Sequence, residues 1–255
     1  MVAVADRLVE ESPYEASIRA ALAVLDVEKL TREFVEQGEW IFIPQLLPMS
    51  LVDQMAAEVR SFSDAEIHRV RVPFVRKAGT VGQVAIARKA PLLSALHRSP
   101  SLLAFTSKLS SQTLTIKNAR DAHAAALYVY RRRGDHIGFH YDDCGCEDAA
   151  SYTGTFGVIN DTKTSRVEFQ MFKNDKTRPM LERSINTTPG SFVFFCGSKA
   201  FHRVTPLGAN EDRVAYSFAY VREGKRLRGF RRFTENISDA ILYFGPKAIF
   251  QKNYR

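Results

Sequence analysis

The stretch Tyr130-Arg-Arg-Arg-Gly134-Asp-His-Ile-Gly-Phe-His140-Tyr-Asp142 (residues 130–142) decides how the rest of the chain is read. His140 and Asp142 are two apart. On an extended chain alternate side chains share a face, so this imidazole and this carboxylate can reach one ion. Sixty residues on (202 − 142) comes Phe201-His202-Arg-Val-Thr-Pro206, shortly after the apolar run Phe192-Val-Phe-Phe-Cys196, which follows Pro189-Gly190. His202 therefore falls at the start of a loop or strand and can close a triad. Two imidazoles and one carboxylate on one face leave three coordination positions open, an arrangement suited to Fe(II) and oxygen activation. Each signal alone is weak. H-x-D tripeptides arise by chance, and lone histidines such as His97, His123 and His136 read as surface or core residues. The ordered combination carries the reading.

Outward from this segment the second half of the chain has β character. Short runs of strand type cover 125–130, 153–160, 166–172, 191–196 and 213–221. Turn residues such as Asn160-Asp161, Lys173-Asn174-Asp175 and Gly208-Ala209-Asn210 separate them, which predicts an antiparallel sandwich or barrel. Arg213 lies eleven residues beyond His202 (213 − 202), at the head of the last run; its guanidinium fork matches a carboxylate at two points. Tyr128 and Tyr130 alternate with Val129, so both could face one cavity. They read equally well as ordinary barrel-interior aromatics.

The first half reads mainly helical. Residues 15–25 have helix-forming composition. In 26–38, Val27, Leu30, Phe34 and Val35 share one face, with Asp26 to cap the start and Gly38 to end it. Trp40-Ile41-Phe42-Ile43 reads as a strand stopped by Pro44. Ser50 and Asp53 resemble a capping pair for a helix carrying Leu51, Met55, Val59 and Phe62. Residues 91–109 predict helical pieces broken near Pro100. Helices first and strands later predict an α+β protein whose helices pack on one side of a β core.

With 255 residues, 45% hydrophobic and 25% charged, the chain can bury a real core. Its +8 charge (36 basic against 28 acidic) attracts anions but leaves their class open: nucleic acid, membrane surface or a small dicarboxylate. It has no apolar run of about 18 residues and no secretory leader pattern, so neither a membrane span nor export is expected. Three cysteines make no disulfide framework and point to a reducing cytoplasm. Cys144-Gly145-Cys146 lacks a second pair and reads as a turn rather than a zinc site. The run Arg131–Arg133 reads as a solvated turn. The basic, aromatic tail from Lys225 to Arg255 has no firm placement.

The ordered set Y-x3-G-x5-H-x-D (130–142), then P-G-x-F-V-F-F (189–195), then H-R-V-T-P (202–206), then an arginine opening a strand (Arg213), resembles the 2-oxoglutarate/Fe(II) oxygenase superfamily, especially its prolyl-hydroxylase-like branch. The resemblance covers about 128–221, with a looser likeness from Gly38 to Pro44. It implies a double-stranded β-helix, or jelly-roll, core in one domain over 1–255: helical support in 1–124, the β core in 125–221 and a basic extension in 222–255. It implies Fe(II) held by His140, Asp142 and His202, 2-oxoglutarate anchored by Arg213 with Tyr130 and Tyr128 beside it, and O2 as oxidant. The expected reaction is hydroxylation of an unactivated C–H bond, with succinate and CO2 as co-products; desaturation or ring closure after hydrogen abstraction stays open.

In halogenating relatives a small residue replaces the carboxylate and chloride takes its place. Asp142 therefore predicts hydroxylation. Two departures bear on the subfamily. Ala215 stands where many relatives have the serine of Arg-x-Ser, and Ser165-Arg-Val-Glu168 stands where prolyl-hydroxylase-like members have a Gly-Gly-acidic run. Length and layout resemble the small enzymes that act on free amino acids. Asp143, with Glu147 and Asp148, reads either as a solvated loop or as an acidic cluster for a substrate amine. The expected partner is thus a small molecule. A protein prolyl-type hydroxylase and a non-catalytic jelly-roll binding protein are the rivals. Nucleic-acid dealkylation is disfavoured because its family pairs the anchor with a second arginine six residues on, and position 219 is alanine.

Overall fold

The protein's structure, a computed structural model, describes residues 14–117, 121, 124–142 and 151–222. The Cys144–Cys146 segment and the tail from Lys225 lie outside the described residues.

The chain opens with α1 (Glu15–Ala23) and α2 (Val27–Glu36). The Asp26 carboxylate accepts the Lys29 N–H at 3.0 Å, satisfying one of the otherwise unpaired first-turn donors of α2. Beyond α2, Gly38 takes φ +82°, which only glycine adopts readily, and turns the chain into β1 (Trp40–Ile43). α3 (Met49–Arg60) does not start at the expected Ser50–Asp53 pair. Pro48 stands at its N-cap in extended conformation with no side-chain cap. Pro48 sets the start of the helix upstream of Ser50, and its carbonyl accepts from Leu51 and Val52. α4 (Gln83–Lys89), α5 (Pro91–Arg98) and α6 (Pro100–Ser110) follow, with prolines in the first turns of the last two. The Ser99 hydroxyl caps α6 by accepting the Leu102 N–H at 3.1 Å.

Between α3 and α4 lies the hairpin β2 (His68–Val72) and β3 (Arg76–Gly82). The first-half reading did not single it out, although Arg69-Val70-Arg71-Val72 alternates as a strand does. The remaining strands are β4 (Leu114–Ile116), β5 (Ala125–Tyr130), β6 (His136–His140), β7 (Ser151–Asp161), β8 (Val167–Met171), β9 (Leu181–Ile185), β10 (Phe192–Cys196), β11 (Phe201–Val204) and β12 (Asp212–Arg222).

The sheet order is β1-β10-β7-β12-β5-β3-β6-β11-β8-β9, with β2 on β3 and β4 on β12, and every recorded pair is antiparallel. β3 pairs β5 through Gly79–Gly82 and β6 through Arg76 and Lys77. It therefore hands the sheet from one wall to the other. This is the expected α+β architecture: a curled, jelly-roll β core with the N-terminal helices on one side.

Period-two alternation sorts the side chains. On β12, Tyr216, Phe218 and Tyr220 join the helix-side core with Leu96, Leu102 and Leu109. Arg213, Ala215 and Ser217 turn to an interior cavity. On β10, Phe192 and Phe194 join the helix-side core, whereas Val193 and Phe195 face inward. Burying a Phe or Leu side chain contributes roughly 1.5–3 kcal/mol, so this layer holds the sheet in its curl. Among the described residues, no helix is long and apolar enough to cross a membrane.

Candidate metal centre and cavity

His140 ends β6, and His202 sits directly opposite it on β11. Ladder hydrogen bonds thus set the separation of the two rings, whose centroids lie 4.3 Å apart. In each ring Nδ1 meets the main-chain carbonyl two residues back: Gly138 O at 2.9 Å for His140 and Ala200 O at 3.1 Å for His202. A carbonyl only accepts, so each Nδ1 carries a proton, and each Nε2 offers its lone pair when its ring is neutral. Both Nε2 atoms face one oxygen: Asp142 Oδ1 is 3.3 Å from His140 and 3.6 Å from His202. The three ligand atoms lie within 4.8 Å of one another, close enough to hold one metal ion.

Asp142 sits just past β6. Its N–H donates to Gly197 O at 3.1 Å, and its Oδ2 accepts the Thr153 hydroxyl at 2.6 Å. Burial pushes the Asp142 carboxyl up, but His202, His140 and Thr153 outweigh it and hold it well below the usual carboxylate range. Burial pulls His202 down to about 4 against the attraction of Asp142. Burial also acts to lower His140, yet the bonded Asp142 outweighs it and leaves that pKa raised. An ionised carboxylate beside the neutral His202 ring suits a divalent ion, whose binding would displace any proton on His140 Nε2.

The triad opens on a cavity of about 270 Å3. Arg213 also lines it and is 2% exposed. Its Nε and Nη2 donate to Thr187 Oγ1 at 3.1 and 2.9 Å. Its guanidinium lies 5.0 Å from the Tyr130 ring centre. Nη1 is buried without a hydrogen-bond partner among the described residues. Burial lowers the Arg213 pKa against the pull of Tyr130, and burial raises that of Tyr130, so the phenol keeps its proton. A desolvated cation with an idle donor is costly unless an anion completes it.

Tyr128 lines the same cavity, with the Arg76 guanidinium 4.6 Å over its ring. Ala215 and Ser217 are both in the wall, and Ser217 accepts the Thr155 hydroxyl at 3.2 Å. Asp143, Glu147, Asp148 and His123 lie outside the described residues. His97 is a core residue stacked on Phe218, and His136 bonds Gly134 O; neither approaches the triad.

Two cavity residues, and the partner of Arg213, escaped the sequence reading. Arg76 sits in the overlooked hairpin. Thr153 lies in a strand that was predicted, but nothing marks its hydroxyl as a partner of Asp142. Thr187 precedes the Pro189-Gly190 turn with no motif to single it out.

The sequence profile of the Halogenase D (HalD) family matches residues 23–237. The chain belongs to that family. No curated protein matches it. Solved structures with the same fold include the prolyl hydroxylase of Trichoplax adhaerens in complex with a peptide fragment of the hypoxia inducible factor oxygen degradation domain (14% identity, 84% of this chain and 95% of that one, TM-score 0.63). Another is the non-heme alpha ketoglutarate dependent carbocyclase SnoK from nogalamycin biosynthesis (14%, 79% and 85%, TM-score 0.62). A third is the epimerase SnoN in complex with Fe3+, alpha ketoglutarate and nogalamycin RO (15%, 77% and 83%, TM-score 0.58). The jelly-roll reading of the sequence is thus matched by the fold of the 2-oxoglutarate/Fe(II) oxygenases. Against the family's name stands one residue: position 142 is aspartate, not a small residue.

Proposed function

We propose that the protein is an Fe(II)- and 2-oxoglutarate-dependent oxygenase that hydroxylates an unactivated C–H bond of a small molecule, a free amino acid or related amine. The observation that carries this reading is the pairing of two features in one cavity. Two Nε2 atoms meet a carboxylate oxygen, and a buried guanidinium with an idle Nη1 lines the same cavity. The donor set fits Fe(II), and the idle donor fits the far carboxylate of 2-oxoglutarate.

In this reading His140, Asp142 and His202 hold iron, Arg213 takes the distal carboxylate of the cosubstrate, and the Tyr130 phenol donates to it. Iron with 2-oxoglutarate and O2 supplies the oxidant that removes a hydrogen atom from carbon, leaving succinate and CO2. The protein's residues position the reactants and shield them. Val193, Phe195 and Phe169 wall the cavity with apolar surface and exclude water from the reacting carbon. Arg76, 5% exposed and also in the wall, suits a substrate carboxylate. Asp142 fills the position that a halide would need, so the outcome is hydroxylation.

Asp143 remains the proposed contact for a substrate amine, and a cytoplasmic setting goes with the same reading. The test is incubation with Fe(II), 2-oxoglutarate, O2 and a panel of free amino acids, with chloride present. Substrate-dependent succinate and a product heavier by one oxygen are expected. Turnover with prolyl peptides alone would transfer the reading to a protein hydroxylase. Absence of 2-oxoglutarate turnover under every condition would leave a binding protein.

A further inference from the structure

We infer that Thr153 is a positioning residue that fixes which oxygen of Asp142 faces the metal and keeps that carboxylate a one-oxygen ligand. The inference rests on the iron reading above and deepens it. Thr153 lies in β7, 5% exposed, between Phe195 of β10 and Ala219 of β12 in register. Pairing on both sides fixes its backbone, and its hydroxyl donates to Asp142 Oδ2 at 2.6 Å. Oδ1, the other oxygen, is the one that lies 3.3 and 3.6 Å from the two Nε2 atoms.

The division of labour follows from coordination geometry. Three protein donors leave three positions in an octahedral shell, and a 2-oxo acid with O2 needs all of them. A carboxylate that turned to bind through both oxygens would fill one. Rotation of Asp142 about its side-chain bonds is what the Thr153 hydroxyl resists, because turning Oδ2 toward the ion breaks a short charge-assisted hydrogen bond. The main chain adds a second restraint: Asp142 N–H donates to Gly197 O, and Gly197 N–H donates to Ser151 O at 2.8 Å, which ties the ligand to the start of β7. A methyl group at Gly197 would lie 3.2 Å from Asp142 Cβ, so the backbone approach is close as well.

The test compares Thr153→Val, which keeps shape and removes the donor, with Thr153→Ser, which keeps the donor. Mn2+ or Co2+ affinity of the full chain is measured anaerobically by calorimetry, and the visible spectrum of the Co2+ form reports coordination. Losing an outer-shell partner of a metal ligand lowers affinity about 10–100-fold. That loss and a changed Co2+ spectrum are expected for Thr153→Val, with Thr153→Ser within about threefold of the parent. Thermal unfolding of the metal-free forms confirms that each variant is folded. Equal affinity and an unchanged spectrum in Thr153→Val, with the parent binding metal, would overturn the role of Thr153 alone. Failure of the parent chain to bind any divalent ion would overturn it together with the iron site.

Discussion

Replacing Arg213 with methionine separates two quantities that usually move together. In the metal-free protein the guanidinium is 2% exposed, bonds the Thr187 hydroxyl twice, and leaves Nη1 without a partner. Removing it forfeits a hydrogen bond to a hydroxyl, about 1–3 kcal/mol, and relieves a desolvated cation of comparable cost. The unfolding free energy of Arg213→Met without ligands should therefore stay within about 1–2 kcal/mol of the parent. Binding of 2-oxoglutarate should collapse. Truncating one partner of a buried, hydrogen-bonded charge pair costs about 2–5 kcal/mol, which at 1.4 kcal/mol per decade is roughly a 30- to 3,000-fold weaker affinity. The assay is urea unfolding with and without 2-oxoglutarate, in the presence of Mn2+ and the absence of O2. Ligand at 100 times its Kd should stabilise the parent by about 2.7 kcal/mol, while the same concentration should barely move the variant. A variant stabilised by 2-oxoglutarate as strongly as the parent would refute the assignment of Arg213. A variant strongly destabilised without ligand would show that the arginine serves the fold instead.

Three further outcomes are expected. Asp142→Gly should lose hydroxylation and bind Mn2+ at least tenfold more weakly by calorimetry; full retained activity would remove Asp142 from the ligand set. His97 is buried with Nε2 unpartnered among the described residues, and burial pulls its pKa from 6.5 down to about 4. Between those values the unfolded chain binds the proton more tightly, so stability is whole above pH 6.5 and falls as pH drops toward 4, by roughly 3 kcal/mol at most (6.5 − 4 = 2.5 pH units at 1.36 kcal/mol each). His97→Phe should pack against Phe218 and Tyr220 and lessen the drop; urea midpoints at pH 7 and pH 5 that fall equally in both proteins would contradict this. Gly157→Ala would put a methyl 2.2 Å from Thr188 O and 2.7 Å from Thr187 O. That clash should cost about 1–3 kcal/mol in denaturant titration and, by displacing the partner of Arg213, weaken 2-oxoglutarate binding; unchanged values for both would show that the loop yields freely.

The sequence discloses what depends on local spacing. Strand spacing pointed to His140 and Asp142 together, although Asp142 lies two residues beyond the end of β6 and is held there by its N–H bond to Gly197 O. Arg213 was legible because it heads a long apolar strand. Which side of Phe192–Cys196 meets the helices was not legible, because the run is apolar throughout and buried on both faces. What stayed hidden depends on contacts between distant segments. The Thr153 hydroxyl meets a carboxylate eleven residues away, and Thr187 meets a guanidinium 26 residues away. Neither residue type announces such a role, since threonine is at home in any strand. The β2–β3 hairpin was missed for another reason: Pro73 and the run of arginines obscured a strand alternation that was present. At α3, the local capping signature of Ser50 lost to the backbone restriction of Pro48.

The two histidines take their tautomers from their own main chain, through Gly138 O and Ala200 O. Packing orients the His202 ring as well: Phe169 stacks on it at 5.4 Å and Phe195 meets it edge-on at 4.9 Å. The wall away from those two rings is therefore at liberty to change composition without disturbing the tautomers of the ligands. A scaffold of this kind can be re-tailored to a new guest by altering that part of its lining, while the three ligands are carried along unchanged.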